Sequence, residues 1–153
     1  MSRLATSKTK SNPRTLEAFA SLRFFGDRLE PRRITEILDT MPTLAYRKGD
    51  VFKKSMGQEI RGRTGLWLVS SEGHVNSTDL NEHLDYLLTI VFSEDTEDKL
   101  SRLRTFMQEA GIEADATCFW YGEHGAPAPV IRDDIRSRFA RIPAEVEEDF
   151  DTD

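Results

Sequence analysis

Three segments of this chain carry apolar side chains on both faces of an extended strand, which constrains the fold more than any other feature. They are residues 16–25, 66–71 and 114–121. Successive side chains of a strand point to opposite faces, so Leu22 and Phe24 share one face while Phe19 lies on the other. A sheet of such strands needs cover on both faces. We expect helices on one face and, on the second, the loop 48–63, the terminal arms, a second subunit or a ligand.

Apolar residues at helical spacing mark four helices between and after these strands. The first starts at Pro31, whose missing N–H is not needed in a first helical turn, and Pro42 ends it. Asp79 is suited to cap the helix that follows, and Gly111 to end the next one. The last helix spans the region 131–139. A short acidic strand, 145–150, is expected at a sheet edge.

This succession predicts an α+β fold, a two-layer sandwich in which helices cover one face of a mainly antiparallel or mixed sheet. Two segments of the chain share a weak similarity, since in each a strand is followed by a glycine and then a proline (Gly26 and Pro31, Gly122 and Pro127). This similarity makes a ferredoxin-like fold one option. The predicted organisation is a flexible basic arm (1–15), a single α+β domain (16–150) and an acidic tail end (151–153).

Composition restricts the setting and the chemistry. The chain has 153 residues and a net charge of -6, and its single cysteine, Cys118, excludes an internal disulfide. No apolar run approaches the roughly 18 residues of a membrane span, and the polar N-terminus lacks the apolar core of a secretory signal. We therefore expect a cytoplasmic protein with no membrane association.

One basic stretch, residues 47–63, contrasts with the acidic background. Its only acids are Asp50 and Glu59. Its cations are Arg47, Lys48, Lys53, Lys54, Arg61 and Arg63. This stretch, called the basic loop below, is expected to bind an anion or an acidic partner.

Aromatic residues suggest a second binding element, since Trp120 and Tyr121 come immediately before the turn-rich loop 122–129. If Trp120 or Tyr121 faces the second side of the sheet, a shallow aromatic groove rimmed by Arg61 and Arg63 results. The complete set of candidate binding residues is Arg47, Lys48, Arg61, Arg63, Trp67, His83, Trp120, Tyr121 and His124.

Catalytic and metal-binding patterns are sparse. His83 lies at the margin of an apolar helical stripe, which is typical of a core-edge histidine bonded to backbone, and His124 sits beside Glu123 in a glycine-flanked loop. No nucleophile is evident near either histidine. We predict no catalytic residues, no metal site and no cofactor, and keep an enzyme using the two histidines as an alternative.

Several motifs in succession resemble a known family. They are SLRFFGDRLEPRRITEIL, PTLAYRKGD, GRTGLWLVSS, STDLNEHLDYLL and CFWYGEHGAP. From residue 19 to about 150 the chain resembles the bacterial family of domain of unknown function 4279. The resemblance implies a compact α+β domain and carries no established catalytic residues; some small families of this kind serve as immunity partners of bacterial toxins.

These observations favour a non-enzymatic protein- or peptide-binding domain that uses the basic loop and an aromatic sheet face, with a toxin-immunity partner as one form. The partner would be another protein or a second copy of the chain. An anion- or nucleic-acid-binding module is the first alternative, and it predicts binding that weakens steeply with salt.

Overall fold

The structure is a computed structural model that describes residues 12–53 and 57–153. Its strands are β1 (Thr15–Gly26), β2 (Leu44–Tyr46), β3 (Val51–Lys53), β4 (Glu59–Arg61), β5 (Gly65–Ser70), β6 (Glu113–Gly122) and β7 (Glu145–Thr152). Its helices are α1 (Pro31–Leu38), α2 (Leu80–Val91), α3 (Thr96–Ala110) and α4 (Asp133–Ala140).

Five strands form one mixed sheet in the order β2-β5-β1-β6-β7, and β3 and β4 form a separate ribbon. The long strand β1 lies in the centre, antiparallel to β5 and β6, while β7 runs parallel to β6 at the edge. The predicted α+β class with a mixed sheet is confirmed. The ferredoxin-like option is wrong, because that plan splits its βαβ units with an intervening strand, whereas β6 and β7 are direct neighbours.

The core lies between the helices and one face of the sheet. That face presents Ala18, Ala20, Leu22, Phe24, Trp67, Val69, Ala116, Cys118 and Trp120, all buried. The indole N–H groups of Trp67 and Trp120 donate to the hydroxyls of Thr35 (3.0 Å) and Thr15 (2.8 Å). Both tryptophans therefore bury their rings without leaving a donor unpaired.

Most of the helix ends follow from residues that lie close to them in the sequence. Pro31 occupies the first turn of α1, the Asp79 carboxylate caps α2 by accepting from the Asn81 N–H, and Gly111 ends α3 with a φ of 66°. The prediction that Pro42 ends α1 is wrong, because that helix stops at Leu38. No helix in the described ranges is long and apolar enough to cross a membrane.

The chain ends differ from the predicted organisation. Residues 1–11 of the predicted basic arm lie outside the described residues, and β1 already begins at Thr15. At the other end, β7 continues to Thr152, so residues 151 and 152 of the predicted acidic tail end belong to an edge strand.

Candidate functional site

The sheet face opposite the helices, here called the open face, carries the most unusual surface of the protein. No helix among residues 12–53 and 57–153 packs on it. Most of its side chains are half-buried or exposed, whereas those on the helix side are buried. Strand alternation and register assign to it Leu44, Tyr46, Leu66, Leu68, Ser70, Glu17, Phe19, Ser21, Arg23, Phe25, Glu113, Asp115, Thr117, Phe119, Tyr121, Glu145, Glu147, Asp149 and Asp151.

A bidentate ion pair between Arg23 and Asp115 lies at the centre of this face. The Arg23 guanidinium donates from Nε to Asp115 Oδ1 (2.8 Å) and from Nη2 to Asp115 Oδ2 (2.6 Å), and it lies 5.3 Å from the Phe25 ring centroid. Thr117 donates a further hydrogen bond to the same carboxylate. The hydrogen bond that Arg23 donates to Asp115 is the main cause of a raised pKa at Arg23. Two-point pairing fixes the guanidinium plane, so the charged centre is preorganised.

Aromatic side chains flank this ion pair on the open face. Phe19 and Phe119, opposite each other on β1 and β6, stack with ring centroids 4.8 Å apart. At the β2 corner, Phe52 of the β3–β4 ribbon stacks on Tyr46 at 4.7 Å. The basic loop thus supplies some of the cover expected on the second sheet face, at that corner.

The open face is strongly acidic. Its carboxylates are Glu17, Glu113, Asp115, Glu145, Glu147, Asp149 and Asp151, and its one cation within the five-stranded sheet is Arg23. Four of these carboxylates form a row along β7 at the edge of the sheet. The face therefore concentrates negative charge at the β7 edge of the sheet.

The basic loop is less available than its composition suggests. Arg47 lies 3.8 Å from both Glu30 and Asp50, and the Lys48 amine lies 3.1 Å from Asp27. Arg61 donates to the Gly49 carbonyl at 2.9 Å. Arg63 is exposed, and Lys54 lies outside the described residues. Carboxylates thus pair with two cations of the predicted positive patch, Arg47 and Lys48.

The predicted aromatic groove does not form. Trp67 and Trp120 are 0% and 2% exposed and face the helices. Tyr121 does face the open side, where its hydroxyl donates to Asp153, and this bond raises its pKa. Arg61 and Arg63, however, lead into the opposite end of the sheet, because Gly65 pairs with Gly26 whereas Tyr121 pairs with Glu17.

His83 is buried and hydrogen-bonded through both ring nitrogens. Its Nε2 lies 2.7 Å from the Ser77 carbonyl oxygen and its Nδ1 lies 2.7 Å from Ser71 Oγ. Since a carbonyl only accepts, Nε2 carries the proton, and the Ser71 hydroxyl donates to Nδ1 while accepting from the Ala20 N–H. A serine–histidine pair of this kind could act in catalysis, but Ser71 is 0% exposed and Nε2 is occupied.

His124 lies on the surface, with Nδ1 3.3 Å from the Asp153 carbonyl oxygen. Its neighbour Glu123 accepts from the Arg14 backbone N–H. The hydrogen bonds of the described residues do not join either residue to His83. Among residues 12–53 and 57–153, no three His, Cys, Asp or Glu side chains are placed to hold a metal ion.

Sequence reasoning missed the Arg23–Asp115 pair. The signal was present, since Arg23 is the one cation of residues 16–25 and Asp115 the one acid of residues 114–121. Burial of such a charge calls for an opposite partner, and these two segments offered one each.

Taken together, fold and site define a small α+β domain with one helix-covered and one open, acidic sheet face. The chain belongs to the family described as domain of unknown function (DUF4279), whose family model matches residues 15–153. Comparison with curated proteins and with solved structures gave no match.

Proposed function

We propose that this protein is a non-enzymatic protein-binding domain whose open face holds a partner with an apolar centre and basic residues towards β7. The observation that carries the proposal is the composition of that face: an aromatic stack and a preorganised arginine bordered by a row of carboxylates. Interfaces are enriched in aromatic residues and arginine at their centres and are polar at their rims.

The charge on this face changes the partner expected from the sequence. The basic loop predicted an acidic partner, but Arg47 and Lys48 already pair with carboxylates of this chain. The acidic row on β7 instead attracts a basic surface and speeds its association. A toxin-immunity role is one form of this proposal, and it requires a toxin with a basic surface.

The alternatives have weaker support. Nucleic acid would meet repulsion on the open face, and two cations of the basic loop, Arg47 and Lys48, already pair with carboxylates. Catalysis by the histidines would have to use one buried and one surface residue.

The test is capture of a partner from lysate of the source cells by tagged protein, after nuclease treatment. One variant reverses charge on the open face, Glu147→Lys with Asp149→Lys. The matched control, Glu94→Lys with Glu109→Lys, makes the same charge change at exposed positions outside the sheet. A third variant, Phe119→Ser, removes half of the aromatic stack.

We expect a stoichiometric protein partner to be retained by the native protein and by the control, and to be lost with both open-face variants. Circular dichroism and melting temperature would establish that each variant is folded. Capture that survives both open-face changes would contradict the proposal, and capture that disappears with nuclease would favour the nucleic-acid alternative.

A further inference from the structure

In the part of the chain that the structure describes, β7 is an edge strand, and no other strand pairs with its outer side. The Asp153 N–H donates to the Gly122 carbonyl of β6 (3.1 Å), so odd-numbered residues of this strand turn their backbone groups towards β6. Because successive residues alternate, the even-numbered residues turn theirs outwards. The Thr152 N–H agrees with this assignment, since it is bound by the Asp151 carboxylate (2.9 Å) and not by β6.

Three residues then offer free backbone groups at this edge. Within the described ranges, no backbone group pairs with the outward N–H and C=O groups of Val146, Glu148 and Phe150. Such an edge can accept one further strand through main-chain hydrogen bonds.

The side chains of β7 specify what that strand should contain. On the open face the strand presents carboxylates, with Glu147 and Asp149 in the middle. On the other side it presents half-buried Val146 and Phe150, while Glu148 between them is neutralised by Arg136 (2.6 Å). An incoming strand would meet a negative row on one side and an apolar margin on the other.

We infer that the partner of the open face docks by adding an extended segment to β7, in which Lys or Arg alternates with apolar residues. This inference rests on the proposed function and names the conformation and chemistry of the partner at that surface. Cross-strand pairs of opposite charge stabilise such pairing, and the alternation places every cation on the acidic side.

A second copy of this chain is a poor occupant of the same edge. Antiparallel pairing of two β7 strands would set the acidic rows of both copies side by side on one sheet face. Like charges opposite each other destabilise strand pairing. The carboxylates thus disfavour antiparallel pairing with a second copy while remaining complementary to a basic strand.

The probe is a capped nine-residue peptide that alternates Lys and Val, with its binding measured by calorimetry. Two controls keep the charge: a block peptide with the lysines first and the valines last, and an alternating peptide with Pro in place of the central Val. We expect the alternating peptide to bind at least about tenfold more tightly than either control, because only it can form both the hydrogen bonds and the side-chain pattern.

A matched pair of protein variants tests the edge directly. Glu148→Pro removes one outward N–H without touching the ladder to β6, a position where an edge strand tolerates proline. Glu148→Ala also loses the contact with Arg136 but keeps the N–H. We expect Glu148→Pro to weaken peptide binding about tenfold, Glu148→Ala to change it by less than about twofold, and amide exchange at Val146, Glu148 and Phe150 to slow on binding.

Equal affinity for the three peptides, or equal binding by the two Glu148 variants, would overturn the inference. Its failure is separable from that of the proposed function. Partner capture that is lost with the open-face charge reversal but unchanged by Glu148→Pro would leave the proposed function standing without strand addition. Capture unchanged by either would contradict both.

Discussion

A matched pair of leucine truncations distinguishes the two faces of the sheet. Leu22 on β1 is 0% exposed and faces the helices, whereas Leu68 on the neighbouring strand β5 is half-buried on the open face. Both would be changed to Ala, so the chemistry is the same and only the environment differs.

The structure gives the expected magnitudes. Leu22→Ala removes a fully buried side chain and leaves a cavity under the helices, which should lower the free energy of unfolding by about 3 kcal/mol. Leu68→Ala removes atoms that water already reaches in part and leaves no closed cavity, so its cost should be about 1 kcal/mol. The difference between the two variants, about 2 kcal/mol, is the quantity of interest.

The assay is urea denaturation followed by circular dichroism, at two protein concentrations. Costs that agree within about 0.5 kcal/mol would refute the view that the second sheet face is open in the free protein. If the Leu68→Ala cost also grew with protein concentration, a second copy would be covering that face.

Three further outcomes follow from the described contacts. Burial raises the pKa of the Cys118 thiol to about 12, so a thiol reagent at pH 8 should label it only on unfolding, and rapid labelling of the native protein would contradict its placement. Ser71→Ala leaves His83 Nδ1 and a backbone N–H of β1 unpaired and should cost about 2 kcal/mol in denaturation; a cost near zero would argue against that network. The hydrogen bond from Arg132 lowers the pKa of Asp134, so its stabilising contribution is present above the ordinary aspartate pKa and is lost as pH falls through the lowered one. Arg132→Gln should return that carboxyl titration towards its ordinary value in NMR, and an unchanged titration would exclude the pairing.

The sequence by itself determined the elements of the fold that depend on neighbouring residues. Apolar runs marked β1, β5 and β6, and Pro31 and Gly111 marked helix ends, because helix caps and strand alternation are set by residues close in the chain. The acidic final strand was also correctly expected at a sheet edge. Local rules sufficed for each of these.

Only the tertiary structure decided which residues form the site. Alternation shows that Trp67 and Leu68 face opposite ways, but only helix packing decides that the tryptophan is the buried one. Likewise, Arg23 meets Asp115 across 92 positions of sequence, and Lys48 is compensated by Asp27. Strand pairing and long-range charge compensation join residues that no local pattern links, so the acidic open face could be recognised only after the strands were in register.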